Sequence, residues 1–146
     1  MRVLFVCTGN TCRSPMAEIL FNSVCTETMS AFSRGTSVWG DLPASANSIF
    51  AMKEMGLGLD GHCSNPLRKE DIDACDIVLC MTENHRKFIC EKYPHAADKA
   101  HLIYDFAEGK NRDVHDPHGG SLNDYRNCAR ELNLLVFKTI DKLKMV

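Results

Sequence analysis

The chain has 146 residues, of which 45% are hydrophobic and 25% charged, and its formal net charge is −2. This length and composition predict one globular domain over residues 1–146, and the charge does not indicate a general nucleic-acid binder. No apolar run approaches the roughly 20 residues that span a membrane, and the apolar start is too short for a secretion signal. We therefore expect a cytoplasmic monomer that binds neither nucleic acid nor a membrane.

Eight cysteines are spread along the chain. They form no C-x-x-C pair and no spacing that is typical of a zinc finger. In a cytoplasmic protein we expect these thiols to be reduced, and most of them to be small core residues. The sequence therefore predicts no metal site, and it indicates no cofactor.

Apolar runs alternate with helix-like segments along the chain, a pattern typical of a parallel sheet with helices on both faces. The first strand is predicted at residues 3–6, and Ser14 and Pro15 predict an N-cap and the first turn of the helix that follows. Further along we predict a strand at 31–33, a helix at 43–55, a strand at 76–81, a helix at 83–93 and a short strand at 101–104.

The last predicted helix has the clearest pattern, with Ser121 and Asp124 placed as a capping box before it. Its apolar stripe, at spacings of three and four residues, consists of Tyr125, Cys128, Ala129, Leu132, Leu135, Val136, Thr139, Ile140 and Leu143. Together the elements predict a three-layer α/β fold, with four parallel strands in the order 2-1-3-4 and about five helices on both faces. In such a sheet a ligand is expected at the carboxyl end of the first strand.

The loop after the first strand carries the strongest chemical signal. It starts at Cys7 and leads through Arg13 into a helix, so its backbone N–H groups can turn towards a bound anion. Arg13 can bind two phosphate oxygens with its planar guanidinium, and Gly9 and Asn10 tolerate left-handed backbone. The residues predicted to bind phosphate are Thr8, Gly9, Asn10, Thr11, Cys12, Arg13 and Ser14.

Cys7 lies at the base of this loop. A cysteine beside a helix N-terminus and a cation is stabilised as the thiolate, which is the form that attacks phosphorus, and Ser14 could donate a hydrogen bond to it. The alternative interpretation is a core cysteine at the end of a strand and a surface arginine, because Cys-x5-Arg alone also occurs by chance. The strand-to-helix context and the Ser-Pro helix start favour the catalytic interpretation.

This loop, and its position near the start of the chain, resemble the signature of the low-molecular-weight protein tyrosine phosphatase family. Residues 33–36, 56–62 and 76–82 resemble further segments of that family. The resemblance implies a phosphatase acting on phosphorylated proteins, with Cys7 as nucleophile and Arg13 as phosphate clamp. It also implies that a serine and a histidine hold the loop asparagine by hydrogen bonds, namely Ser33 and His62 to Asn10.

A phosphatase also needs a group that protonates the leaving atom. The resemblance places this general acid at the Asp-Pro pair, hence at Asp116, and Asp113 is the second choice. Without the resemblance, Asp-Pro and the two glycines after it indicate only a turn before the last helix.

Three residues are predicted to influence which substrate is accepted. At Thr11, tyrosine-directed members commonly carry a larger aliphatic residue, and the loop resembles a bacterial branch that dephosphorylates phosphoarginine on proteins. His118 stands where the family usually has an aromatic residue, and Trp39 either supplies a pocket wall or is a partly buried loop residue. We therefore rank phosphoarginine above phosphotyrosine. Cys12 either forms a reversible disulfide with Cys7 or only fills the loop.

Two other functions are compatible with the loop. A thioredoxin-coupled arsenate reductase of the same fold would need two further cysteines, and Cys80 and Cys90 are the candidates, although Cys90 falls inside a predicted helix. An inactive phosphate-binding module is the other alternative. The joint presence of Cys7, Arg13 and Asp116 argues against it.

Overall fold

A computed structural model describes residues 1–145 of the chain. Four strands form one parallel sheet: β1 (Arg2–Cys7), β2 (Ser30–Gly35), β3 (Ile77–Cys80) and β4 (Ala100–Leu102). Their order across the sheet is β2-β1-β3-β4, which confirms the predicted order. The chain goes from β1 to the edge strand β2 and then returns to the other side of β1, so the winding reverses beside the end of β1.

Six α-helices are present in the described residues: α1 (Arg13–Val24), α2 (Ala46–Glu54), α3 (Lys69–Ala74), α4 (Glu83–Lys92), α5 (Ile103–Glu108) and α6 (Leu122–Lys144). A short 3-10 turn follows α4 at Pro94–Ala96. The helices without a predicted counterpart, α3 and α5, have only six residues each. A helix of that length shows too few turns for its periodicity to be recognised.

None of the helices in residues 1–145 combines the length and the apolar character needed to cross a membrane.

The sheet has a core on each face, which explains why β1 and β3 read as unbroken apolar runs. One core includes Val3, Phe5 and Leu79 together with the buried side chains of α1, α2, α5 and α6. The other includes Leu4 and Val6 with side chains of β3, α3 and α4. Side chains of β1 therefore alternate between the two cores, and the strand is fixed in position from both sides.

The stripe predicted in the last helix is the buried face of α6. The predicted capping box is also present: Asp124 N–H donates to Ser121 Oγ at 3.2 Å, and Ser121 N–H donates to Asp124 Oδ2 at 2.9 Å. These two bonds satisfy backbone amides at the start of the helix. They also define where the preceding loop, residues 109–121, ends.

The prediction that Ser14 caps the first helix is wrong. α1 begins at Arg13, two residues before the start that a Ser14 cap implies, with Cys12 in the cap position and no side-chain cap. Pro15 does lie in the first turn, as expected. Ser14 is fully buried, and its hydroxyl contacts Cys7 instead of a backbone amide of the helix.

Two other predicted boundaries differ from the structure. The helix predicted from residue 43 begins at Ala46, because Ser45 caps it by accepting a hydrogen bond from the backbone of Ser48. β4 ends at Leu102, and the next two residues, predicted as strand, start α5. Ile103 and Tyr104 are both buried, and a short apolar run does not distinguish a strand from a helix.

Gly35, the last residue of β2, supports the loop that follows β1. It pairs with Cys7 in the sheet. A Cβ atom at Gly35 would lie 2.5 Å from the carbonyl oxygen of Thr8 and 2.6 Å from Cγ2 of Val38. Only a residue without a side chain lets the loop lie this close to β2.

Replacing Gly35 by alanine should lower the free energy of unfolding by about 1–3 kcal/mol, because the new methyl group overlaps the loop backbone and forces it to move. Gly58→Ala is the matched control, since nothing lies within 4 Å of a Cβ at that position. The control should change the free energy by less than about 0.5 kcal/mol. Urea denaturation measures both, and equal stability of the two variants would contradict the close contact.

Candidate active site

The loop between β1 and α1 borders a cavity of about 250 Å³ at the carboxyl end of the sheet. Cys7 is only 2% exposed and forms part of the cavity wall. The cavity brings most of the predicted site residues together, and it is lined by Cys7, Thr8, Gly9, Thr11, Cys12, Arg13, Ser37, Trp39, Leu42, Asp116 and His118. Asn10 and Ser14 do not line it. Both are fully buried behind the loop.

Asn10 holds the loop in its observed shape. Its backbone is left-handed, with φ 57°, whereas Gly9 does not adopt the left-handed conformation that its residue type allows. The Asn10 amide group donates to Ser14 Oγ at 2.8 Å and to Ser33 Oγ at 3.0 Å, and its oxygen accepts from the backbone N–H of Asn65 at 2.9 Å. Asn10 thus ties the loop to α1, to β2 and to the segment before α3.

The directions of these hydrogen bonds determine what Ser14 presents to Cys7. Ser14 Oγ accepts from Asn10, so its own hydrogen is available for the Cys7 sulfur, 2.8 Å away. Ser33 Oγ likewise accepts from Asn10 and donates to Glu18 Oε1 at 2.7 Å. A hydroxyl that donates to sulfur favours the negatively charged, nucleophilic form of the cysteine.

The backbone of the loop is held by its carbonyl groups and not by its amides. Three of its carbonyl oxygens, counting that of Cys7, accept hydrogen bonds from the N–H groups of Thr36, Ser37 and Ser45, at 2.9 to 3.0 Å. The N–H groups of residues 8–12 donate to no other backbone group within residues 1–145. A series of such amides before the first turn of α1 is suited to binding an anion.

The Arg13 side chain lines the same cavity as these amides and is 4% exposed. Its Nη1 donates to the carbonyl oxygen of Val114 at 3.0 Å, which fixes the plane of the guanidinium. Its Nε is buried and has no hydrogen-bond partner among residues 1–145. A buried N–H without a partner costs free energy, so an oxyanion that accepts from Nε would be bound strongly here.

Asp116 lies beside Arg13 in the lining of the cavity. Its Oδ2 lies 3.6 Å from Arg13 Nη2, its Oδ1 accepts from the backbone N–H of His118 at 3.0 Å, and its side chain is 48% exposed. The second choice, Asp113, does not line the cavity that contains Cys7. Its Oδ1 accepts from the N–H of Glu83 at 2.9 Å and so anchors the loop to the start of α4. The geometry therefore favours Asp116 over Asp113 as the carboxyl group next to the reacting atoms.

Comparison with known proteins places this site in a family. A family model described as low molecular weight phosphotyrosine protein phosphatase matches residues 2–145. The chain belongs to this family.

A relative in Geobacillus stearothermophilus named protein-arginine-phosphatase is 38% identical over 143 residues, covering 98% of this chain and 96% of the relative. The low molecular weight protein-tyrosine-phosphatase PtpB of Staphylococcus haemolyticus is 32% identical over 140 residues, covering 94% of this chain and 96% of that protein.

The fold agrees with this assignment. A solved structure of the YwlE arginine phosphatase from Geobacillus stearothermophilus aligns with a TM-score of 0.95 at 38% sequence identity. The alignment covers 99% of this chain and 93% of that one. The predicted α/β fold of a low molecular weight phosphatase is therefore confirmed.

The two residues that the phosphatase resemblance assigned to Asn10 both contact it. Ser33 accepts from the Asn10 amide, as described above. His62 Nε2 lies 2.7 Å from the Asn10 backbone carbonyl oxygen and must donate to it, because a carbonyl only accepts. The histidine therefore supports the backbone of the loop, and the serine supports its side chain.

The three predicted specificity residues of this phosphatase, Thr11, Trp39 and His118, all line the cavity. Trp39 is 87% exposed, so the interpretation of a partly buried loop tryptophan is wrong. Thr11 is only partly exposed and belongs to the phosphate loop itself, which is the segment of residues 7–13 between β1 and α1. Their effect on the choice of substrate stays a prediction.

Cys12 is a buried residue of the loop between β1 and α1. Its sulfur lies 3.4 Å from Ser45 Oγ and 3.5 Å from the hydroxyl of Tyr125. Burial raises the pKa of Tyr125 to about 12, so this hydroxyl remains protonated at neutral pH. The reversible disulfide between Cys12 and Cys7 stays a prediction.

The cysteines needed for arsenate reduction are poorly placed for that reaction. Cys80 is fully buried in β3, and burial raises the pKa of its thiol far above the ordinary value. Cys90 lies inside α4, as predicted. A thiol that stays protonated is a poor nucleophile in disulfide exchange.

Within residues 1–145, no group of three or more His, Cys, Asp or Glu side chains is arranged to hold a metal ion.

One further residue beside the site, His85, is not indicated by any chemical motif of the sequence. It lies in the first turn of α4, and its imidazole contacts Thr8 in the phosphate loop. The only sequence signal was its position three residues after Thr82, where a capping box usually has Glu or Gln. A capping role for a histidine there does not indicate a contact with a loop that lies far away in the sequence.

Replacing Asp116 by asparagine should lower kcat by about 10²- to 10⁴-fold for a substrate with a poor leaving group, because the variant cannot donate the proton. The loss should be much smaller for p-nitrophenyl phosphate, whose leaving group needs little protonation. Steady-state kinetics on both substrates measure the difference.

Asp113→Asn is the comparison variant. It weakens the anchor of the loop to α4, so its effect should be smaller and the same for both leaving groups. The assignment of Asp116 would be refuted by the reverse pattern, in which only Asp113→Asn depends on the leaving group.

Proposed function

We propose that this phosphatase hydrolyses phosphorylated side chains of proteins, with Cys7 as nucleophile and Asp116 as general acid and base, and that phosphoarginine is its better substrate. The observation that carries the proposal is the buried Nε of Arg13, without a partner in residues 1–145. Arg13 lines the same cavity as Cys7, whose sulfur faces the Ser14 hydroxyl. A phosphoryl oxygen bound at that point would satisfy Nε and lie against a positive charge.

In the first step the Cys7 thiolate forms a bond to phosphorus, and the bond from phosphorus to the leaving nitrogen or oxygen breaks. The leaving atom takes the proton of Asp116, which becomes a carboxylate. The free amides of residues 8–12 and the Arg13 guanidinium bind the three non-bridging oxygens, where charge accumulates in the transition state.

In the second step a water oxygen forms a bond to phosphorus and the sulfur–phosphorus bond breaks. The Asp116 carboxylate takes a proton from that water, so that inorganic phosphate leaves and the Cys7 thiolate is restored. The same carboxyl group thus acts as acid and then as base, and each turnover returns the site to its starting state.

The pair formed by Arg13 and Asp116 explains how the acid becomes available. Nη2 of Arg13 and Oδ2 of Asp116 are 3.6 Å apart, longer than a good charged hydrogen bond. A phosphate dianion held by Arg13 competes for the same positive charge. Binding of the substrate therefore weakens the attraction between Arg13 and the Asp116 carboxylate.

Two observations support phosphoarginine as the better substrate. The relative that is 38% identical is named protein-arginine-phosphatase, whereas PtpB, named a protein-tyrosine-phosphatase, is 32% identical. Thr11 lines the cavity, and its hydroxyl can hydrogen-bond a guanidinium, which an aliphatic side chain cannot do. A site that loses such a bond discriminates less between the two substrates.

We also propose that residues 1–146 act as one phosphatase domain, as a monomer in the cytoplasm. All the side chains of the site come from one chain, so a second copy is not needed to complete it. The eight cysteines are free thiols in the structure, which suits a reducing compartment.

Replacing Thr11 by isoleucine should move the ratio of kcat/KM for phosphoarginine over phosphotyrosine towards phosphotyrosine by about tenfold, because one hydrogen bond to the guanidinium is lost. The measurement uses two peptides that differ only in the phosphorylated residue. Thr11→Ser is the control, since it keeps the hydroxyl and should keep the ratio. An unchanged ratio in Thr11→Ile would refute the specificity argument.

Replacing Cys7 by serine should abolish turnover of p-nitrophenyl phosphate and leave binding of inorganic phosphate measurable by calorimetry, because the amides and Arg13 remain. This experiment also tests the alternative of an inactive phosphate-binding module. An inert binder would show phosphate binding but no turnover in the unmodified protein, and that result would overturn the proposed function.

A further inference from the structure

His85 is a buried titratable residue that the two chemical steps do not use. It is 6% exposed and lies in the first turn of α4, on the opposite side of β1 from β2. Its Nε2 is 2.9 Å from Oγ1 of Thr8, the residue directly after the nucleophile. The side chain therefore reaches from a neighbouring helix into the phosphate loop.

The tautomer of His85 follows from its second contact. Nδ1 lies 3.2 Å from the backbone nitrogen of Thr82, and a backbone N–H can only donate. Nδ1 must therefore accept and carry no proton, so the neutral ring has its proton on Nε2 and donates it to Thr8 Oγ1.

The surroundings of His85 keep the ring neutral. Burial and the nearby Arg13 guanidinium lower the pKa of His85 to about 4, although Asp113 and Asp116 act in the opposite direction. At neutral pH the ring is therefore the Nε2–H tautomer. Protonation of Nδ1 would break the bond to Thr82 and bring two donors face to face.

The bond from His85 determines the orientation of the Thr8 hydroxyl. Because Thr8 Oγ1 accepts from the imidazole, its own hydrogen must point away from His85. Thr8 lies in the wall between two cavities, the one of about 250 Å³ that contains Cys7 and one of about 490 Å³ that contains His85. Thr8 Oγ1 makes no other hydrogen bond within residues 1–145, so its hydrogen is available to a ligand in the cavity that contains Cys7.

We propose that His85 is a positioning residue for phosphoryl transfer, which holds the Thr8 hydroxyl as a hydrogen-bond donor to the phosphorylated substrate bound above Cys7. This inference rests on the proposed function. It adds a donor from a side chain of the loop to the amides and the guanidinium already described. It also gives α4 a part in the active site, because Thr82 and His85 set the direction of the Thr8 hydroxyl together.

The test is a double-mutant cycle with His85→Asn and Thr8→Val. An asparagine at position 85 can still accept from the N–H of Thr82 but is too short to donate to Thr8. Each single variant should lower kcat/KM for p-nitrophenyl phosphate by about tenfold, the size of one hydrogen bond. The double variant should lose no more than either single variant, because both changes remove the same donor.

Two further variants separate positioning from a general structural effect. His85→Gln can reach Thr8 with its amide group and should recover most of the activity, and Thr8→Ser, which keeps the hydroxyl, should lose less activity than Thr8→Val. His95→Asn, on an exposed histidine that pairs with Asp73 on the surface, is the matched control and should have no effect. If His85→Asn does not fold, Thr8→Val with Thr8→Ser tests the same hydroxyl at an exposed position.

The outcomes distinguish this inference from the proposed function. Normal turnover of the unmodified protein, with no loss in Thr8→Val or additive losses in the double variant, would overturn the role of His85 alone. A protein that hydrolyses neither p-nitrophenyl phosphate nor a phosphopeptide before any substitution would overturn the proposed function, and this inference with it.

Discussion

The side chain of Asn10 makes hydrogen bonds to three separate parts of the chain, and the geometry of the phosphate loop depends on them. Its backbone is left-handed, which costs a residue with a side chain about 1 kcal/mol. Buried hydrogen bonds to Ser14, Ser33 and Asn65 offset that cost. Because the bond from Asn10 also turns the Ser14 hydroxyl towards Cys7, one network forms the loop and prepares the nucleophile.

Around this network the protein concentrates positive potential in a chain whose formal net charge is −2. The guanidinium of Arg13, the unpaired amides of the loop and the start of α1 all lie around one small cavity. None of the amides changes the net charge, and Arg13 is a single residue. The net charge of a protein therefore carries no information about a site that binds one phosphate group.

Much of the site could be predicted from the sequence because it is local. The strand at residues 3–6, the turn at Asn10 and the arginine before a helical proline lie within one short segment. The apolar stripe of α6 is also local, and its spacing repeats over about five turns, from Tyr125 to Leu143. The alternation of strands and helices also indicates a parallel sheet, since neighbouring parallel strands need a crossover long enough for a helix.

The remaining features depend on contacts between distant segments. The Ser-Pro pair at the start of α1 fits an N-cap on its own, and only the packing of Asn10 shows that Ser14 faces Cys7. Asp113 and Asp116 are three residues apart in one loop, and the N–H of Glu83, which belongs to another element, distinguishes their roles. The contact from His85 to Thr8 spans 77 residues, so no local pattern indicates it.

The proposed mechanism requires that phosphate passes through the sulfur of Cys7. The most direct measurement mixes the protein with excess substrate, quenches with acid within the first turnover and locates the phosphate by mass spectrometry of the digested chain. We expect one phosphate on the peptide that contains Cys7, and none when the experiment is repeated with Cys7→Ala. Normal turnover with no phosphorylated Cys7 peptide, or with the phosphate on another residue, would contradict the mechanism.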